Sequence, residues 1–204
     1  MKVTKAQAQA NRERIVETAS RLFRERGYDG VGIADLMAAA GFTHGGFYKH
    51  FASKAQLMEE AAACGIQQTA AQTADMDAAG FFQRYVSRAH RDARDIGCTL
   101  AALGGDATRQ PEAVRTAFEA GIEKLLEILV RDSTLSRSGS PEQARIRALA
   151  MLVQAVGAIV MSRACPDDSP LAEEILEVCR AAILGSLGSR PVANEHPDAG
   201  LEPT

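Results

Sequence analysis

Between Thr43 and Lys54 the chain reads THGGFYKHFASK, small, hydroxylated and cationic residues set around two phenylalanines. These types at this spacing suit contact with a nucleic-acid duplex better than bond-breaking chemistry. Thr43 can cap a helix and aim its first amides at a phosphate. Gly45 and Gly46 carry no side chain, so the backbone there can come close to DNA. Inside an α-helix two glycines cost roughly 1 kcal/mol each relative to Ala, which makes a purely structural role expensive. Tyr48, Lys49 and His50 supply hydrogen-bond donors, and Lys54 stands at the start of the next helix.

Cys98 is the second position with chemical potential. It follows Gly97 at an expected helix start, where backbone amides and the helix dipole make a thiol more reactive. Arg94 and His90 lie one and two turns earlier, with Arg91 nearby. Two readings stay open: a redox or electrophile sensor, or a buried cysteine that packs a short helix. Cys64, Cys165 and Cys179 are widely spaced, with no C-x-x-C pair and no zinc spacing to the four histidines. No metal site and no cofactor are therefore expected. Free thiols are expected in a reducing cytosol, with Cys64 and Cys179 as small core residues.

Enzyme signatures are lacking. The sequence contains no H-E-x-x-H, no G-x-S-x-G, no glycine-rich phosphate loop and no paired carboxylates at useful spacing. An all-helical enzyme is one alternative. A helical dimer serving as an interaction module is another, but it leaves the segment from Thr43 to Lys54 without a purpose.

The elements that must position these residues are helical throughout. Of 204 residues 46% are apolar and 5% aromatic, with no Trp and abundant Ala and Leu, a balance that favours helix over sheet. Ile15, Ala19, Leu22 and Phe23 fall at helical spacing before Gly27; a short helix spans Ile33 to Ala40, and a third runs from Thr43 to about Phe51. Ser53 with Gln56 makes a capping box that opens a fourth helix toward Thr73. Phe81, Phe82, Tyr85 and Ala89 predict one amphipathic helix to about Ala93, and a short helix covers Cys98 to Thr108. Pro111 opens a long helix with the stripe Val114, Phe118, Ile122, Leu125 and Leu129. Ser138-Gly139 marks a loop. Ser140-Pro141-Glu142-Gln143 starts a helix to about Ala164, and Ser169-Pro170 starts the last, ending near Leu187. The expectation is an all-α protein of about nine helices. It divides into an N-terminal three-helix DNA-binding domain (1–53), a helical ligand-binding and dimerisation domain (54–187), and a disordered tail (188–204) rich in Gly and Pro.

The segment from Gly27 to Lys54 has helix-turn-helix spacing, with Gly41 at a turn needing positive φ. Ile33, Leu36, Met37 and Phe42 face inward against Leu22 and Phe23, and Phe47 and Phe51 anchor the reading helix. Here the sequence resembles the TetR/AcrR family of transcriptional repressors. The resemblance is carried by Gly27-Tyr28, Ala40-Gly41-Phe42, Gly46-Phe47-Tyr48-Lys49-His50-Phe51 and Ser53-Lys54, about 50 residues in all. It implies a homodimer on a near-palindromic operator, released when a small-molecule inducer enters the C-terminal domain. By position it puts Tyr48, His50 and Lys54 on phosphates and Thr43, His44, Gly45 and Lys49 against bases. Family members often carry Ser or Thr, then Arg two residues later, where this chain has Gly32 and Ala34. More of the reading then falls on the helix from Thr43.

Charge distribution agrees with a DNA-facing N-terminus. Residues 1–55 carry nine Lys/Arg against five Asp/Glu, and the remainder fourteen against twenty-one. In the C-terminal half the apolar arcs of 141–164 and 170–187 are wider than one core face requires, which predicts a four-helix interface between two subunits. The expected ligand pocket is lined by Phe81, Phe82, Tyr85, Phe118 and Ile122, with Met58 and Cys64 alongside. No secretory signal and no apolar run of membrane-spanning length are visible, so a cytoplasmic location is expected.

Overall fold

The computed structural model describes residues 4–73, 75–131, 135 and 140–188. Among them the chain forms nine α-helices, one 3₁₀ helix and no strand. The order is α1 (Lys5–Arg26), α2 (Ile33–Ala40), the 3₁₀ helix (His44–Lys49), α3 (Lys54–Thr73), α4 (Ala78–Tyr85), α5 (Arg88–Asp92), α6 (Thr99–Ala107), α7 (Glu112–Val130), α8 (Pro141–Ala164) and α9 (Pro170–Gly188). The all-α expectation holds. The expected loop at Ser138-Gly139 and the expected disordered tail beyond Gly188 lie outside the described residues.

Side-chain caps set most boundaries. Thr4 accepts from the Gln7 amide to start α1, and Gly27 ends it at φ 75° with its N–H on the Phe23 carbonyl, 2.8 Å away. Ser140 and Gln143 form the full reciprocal capping box of α8. At α3 the box is displaced: Ser53 Oγ accepts from the Gln56 amide, but Gln56 Oε1 accepts from the Ala52 amide at 2.8 Å. The single helix expected over residues 81–93 is broken in two. Val86 ends α4, and Ser87 accepts from the His90 amide to start α5, because a serine can offer the backbone an alternative to continuing the helix.

One apolar core runs from Ile15 to Ile183 without a gap. Helix α3 is its spine, packed on α1, α6 and α7. Two glycines allow that packing: a Cβ at Gly121 would overlap the Ile66 side chain, and one at Gly65 would overlap Arg24, Thr99 and Ser20. Cys64 and Cys179 sit half-buried at the edge of this core instead of inside it. Helix α8 has two apolar faces. Leu152 and Ile159 point into the bundle, whereas Ile146, Leu149, Val153, Val160 and Met161 point outward, joined by Leu171 and Val178 of α9. By length and composition α8 is long and apolar enough to cross a membrane; its inner face packs on α5, α6, α7 and α9.

Candidate functional site

The N-terminal site is built on a small core into which one short helix is anchored by Phe47. Leu36, Met37 and Ala40 of α2 are buried with Ile15, Ala19 and Phe23 of α1, while Ile33, Phe42 and Leu22 cover them half-buried. Gly41 then turns the chain in the left-handed region, φ 84° and ψ 26°, where any other residue would be strained. Thr43 is extended, and the segment to Lys49 winds as a 3₁₀ helix, shorter and tighter than the α-helix expected to Phe51. Its fixed points are Phe47, wholly buried, and Phe51, whose rings lie 5.5 Å apart. The two glycines, poor α-formers, suit this tighter winding.

The outward face of this helix carries Thr43, His44, Gly45, Tyr48 and Lys49, all exposed, with His50 and Gly46 half-buried. Gly45 faces open space, as expected of a backbone surface that a partner could approach. Gly46 does not: a Cβ there would sit 3.6 Å from Met37 Cε, over the core. Thr43 makes no side-chain capping bond. Tyr48 stands edge-on to Phe47, ring centroids 5.1 Å apart, and is 66% exposed, far more than a core tyrosine would be.

Lys54 is held from inside. Its Nζ donates to the Tyr28 carbonyl at 2.6 Å and lies 5.8 Å from the Phe23 ring centre, so it ties α3 to the α1–α2 loop. Arg12 does similar work on the other side. Its guanidinium pairs with Glu60, donates to the His50 carbonyl and stacks 4.7 Å over the Phe51 ring. Beside it an open groove joins Lys5 and Gln9 of α1 to Lys49 and His50. Sequence spacing missed Lys5 and Gln9, since forty residues separate them from the segment they border.

A second site lies 3-dimensionally below, where α3, α4 and α5 meet the start of α6. Its cavity, about 330 Å³, is lined by Thr69 and Thr73 of α3, Phe81 and Tyr85 of α4, His90 of α5, and Ile96 to Cys98. Of the expected pocket residues, Phe81 and Tyr85 are here. Phe82 and Phe118 are buried in the core, Ile122 packs against it, and none of these three lines this cavity; neither does Met58 or Cys64.

Cys98 is buried in the cavity wall as the N-cap of α6. His90 meets this residue through its backbone amide. The Cys98 amide donates to His90 Nε2 at 2.9 Å, and His90 Nδ1 lies 2.6 Å from the Tyr85 carbonyl. Nε2 must therefore be the bare nitrogen and Nδ1 the donor, which fixes a neutral imidazole. Burial pushes its pKa below the ordinary histidine value, although the Tyr85 carbonyl works in the other direction. Arg163 of α8, unforeseen from spacing, donates to the carbonyls of Arg91 and His90 at 2.8 and 2.9 Å.

Two links join the sites. Arg24 of α1 donates to the Asp95 carbonyl at 2.8 Å and to Ser20 Oγ at 2.9 Å, and Arg21 pairs with the Asp95 carboxylate at 2.7 Å. That pairing holds Asp95 below the usual carboxylate pKa. At the other end of α6, Asp106 accepts from the Tyr28 amide at 3.3 Å.

Residues 15–61 match the family model described as bacterial regulatory proteins, tetR family. The HTH-type transcriptional regulator TtgR of Pseudomonas putida is 43% identical over 56 residues, which covers 28% of this chain and 27% of that protein. The chain thus matches about a quarter of that relative's length. Among solved structures, a TetR transcriptional regulator from Chloroflexus aurantiacus superposes with a TM-score of 0.70 at 27% identity, covering 91% of this chain and 98% of that one. AibR, solved in complex with isovaleryl coenzyme A and operator DNA, superposes with a TM-score of 0.57 at 19% identity, covering 85% and 98%. The last shows likeness of fold.

Proposed function

We propose that this chain, a member of the TetR family of regulatory proteins by its N-terminal module, is a cytoplasmic repressor that binds a near-palindromic operator as a homodimer. The observation that carries this reading is the exposed face of His44–Lys49, held by the buried Phe47 and Phe51 and flanked by the matched family pattern. Thr43, His44, Gly45 and Lys49 lie against bases; Tyr48, His50 and Lys54 lie near phosphates, with Lys5 at the border. Gly46 contributes through packing on Met37.

The homodimer forms through α8 and α9. Ile146, Val153, Met161 and Val178 are each 60–62% exposed, a row that a second copy would cover. The inducer is a small molecule that enters the cavity at the start of α6. A shift of α6 would reach α1 through Asp95 and Asp106, the residues that Arg21, Arg24 and the Tyr28 amide hold. The Cys98 thiol gives an electrophilic or oxidising inducer a point of attack. Loss of induction by an electrophile in Cys98→Ser, with DNA binding intact, supports that route, and unchanged induction removes it.

Selection of bound duplexes from a random library tests the function itself. The reading expects inverted half-sites about one helical turn apart or a multiple of it; a pool with no enriched sequence would overturn it.

A further inference from the structure

The cavity at the start of α6 carries an unbalanced charge. Among the described residues that line it there is no Asp or Glu, and Arg84 is the single Lys or Arg. The Arg84 guanidinium makes no ion pair and no hydrogen bond with any described residue. Other arginines around α4 and α5 are committed. Arg88 pairs with Asp92 at 2.8 Å and Arg91 with Asp167 at 2.9 Å, while Arg163 and Arg180 donate to the carbonyls of Arg91 and Val86.

The rest of the lining leaves that charge unopposed. His90 has both ring nitrogens engaged, one on the Tyr85 carbonyl and one on the Cys98 amide, so it brings no charge. The Thr69, Thr73 and Ser87 hydroxyls spend their protons on backbone carbonyls at 3.1, 2.9 and 2.7 Å. The Tyr85 hydroxyl is sealed inside the wall and offers nothing to an occupant. The side-chain donors left for a ligand are the Arg84 guanidinium and the Gln72 amide, both exposed. A planar guanidinium fork matches a carboxylate, whereas an ammonium would be repelled. The Phe81 and Tyr85 rings, 5.4 Å apart and tilted by 32°, supply apolar surface together with Ala93 and Ile96. The volume of about 330 Å³ suits a small molecule.

We infer that this cavity binds a small amphipathic organic acid, its apolar body against the Phe81 and Tyr85 rings and its carboxylate on the Arg84 guanidinium. The inference rests on the ligand-responsive reading above but concerns the chemistry of recognition.

The test compares phenylacetate with phenylacetamide, nearly equal in shape, by NMR titration against the full chain and its Arg84→Gln variant. The parent protein should prefer the acid about fivefold, the size of a partly solvated ion pair, and added salt should narrow that preference. Arg84→Gln should bind the two compounds equally. The free variant should melt where the parent does, because the lost guanidinium is exposed and bonds nothing in the protein; this separates a ligand effect from misfolding. Nuclear Overhauser contacts should join the phenyl protons to the Ile96 methyl groups. If phenylacetate fails to bind at millimolar concentration, if Arg84→Gln keeps the preference for the acid, or if the contacts run elsewhere, the inference is overturned. Operator release is scored separately by anisotropy. Binding without release would count against the inducer role and leave the recognition chemistry standing, whereas absence of any DNA binding would count against the regulatory reading alone.

Discussion

Arg24 reaches from α1 to donate a 2.8 Å hydrogen bond to the carbonyl of Asp95, three residues before the cysteine in the cavity wall. The same guanidinium bonds Ser20 and lies 3.4 Å from Thr99 Oγ1 at the start of α6. Burial depresses its pKa, while the nearby cysteines and Asp95 pull the other way. One side chain therefore belongs to both ends of the molecule.

Removing it should cost stability and communication together. Arg24→Ala leaves the Asp95 carbonyl and Ser20 without their donor, a loss of about 2–3 kcal/mol for a buried charged hydrogen-bonding group. Urea unfolding should show that drop. In the fraction that remains folded, operator affinity should persist while its response to inducer falls.

Gly65→Ala attacks the same junction from α3. The added Cβ would overlap the Arg24 guanidinium, Thr99 Oγ1 and Ser20 Oγ, so the helices must separate. Overpacking of this kind costs about 1–3 kcal/mol. Thermal melting should fall accordingly, whereas Gly45→Ala, which meets open space, should melt within about 0.5 kcal/mol of the parent.

Much of this architecture is legible in the sequence because it is written in local signals. Ser140 with Gln143, Ser53 with Gln56, and Gly27 and Gly41 each fix a helix end within a few residues. The outward face from Thr43 to Lys49 is legible for the same reason, as Phe47 and Phe51 mark its inner side. The 3₁₀ winding was not, since it depends on how Phe47 settles into a core built by α1 and α2. The cavity was least legible: Thr69, Tyr85, His90 and Ile96 share no period and meet only after α4 and α5 separate at Ser87. Lys54 and His90 illustrate a further limit. Their types stand out in the sequence, but their partners, the Tyr28 carbonyl and the Cys98 amide, are backbone groups that a pattern of side chains does not reveal.

His90 predicts a pH dependence. Its pKa is lower in the folded protein than in the unfolded chain, so the unfolded state takes up a proton first as pH falls. The stabilisation is complete above about pH 6.5 and is lost progressively as pH drops toward the folded value. Melting temperature should therefore fall on acidification below that point, and His90→Gln should flatten this part of the profile.

The α8 face predicts an assembly. Val153→Glu places a charge in the middle of the exposed apolar row, and light scattering should report one chain per particle instead of two. Operator affinity should fall with it, since each half-site then binds alone.

Lys49 and Lys54 should separate in their effects. Lys49→Ala removes an exposed cation, so binding weakens, base preference shifts and the fold is unaffected. Lys54→Ala also removes the bond to the Tyr28 carbonyl; it should weaken binding across all sequences and lower stability by about 1–3 kcal/mol, read from unfolding curves.

The most direct measurement is the salt dependence of operator binding, followed by fluorescence anisotropy on a duplex from the promoter beside the chain's own gene. Two chains should bind each duplex. Affinity should fall steeply between roughly 50 and 200 mM salt as phosphate contacts release counterions, and Lys54→Ala should lower that slope by about one. A chain that leaves such duplexes unbound at low salt, or binds them with no salt dependence, would contradict the account.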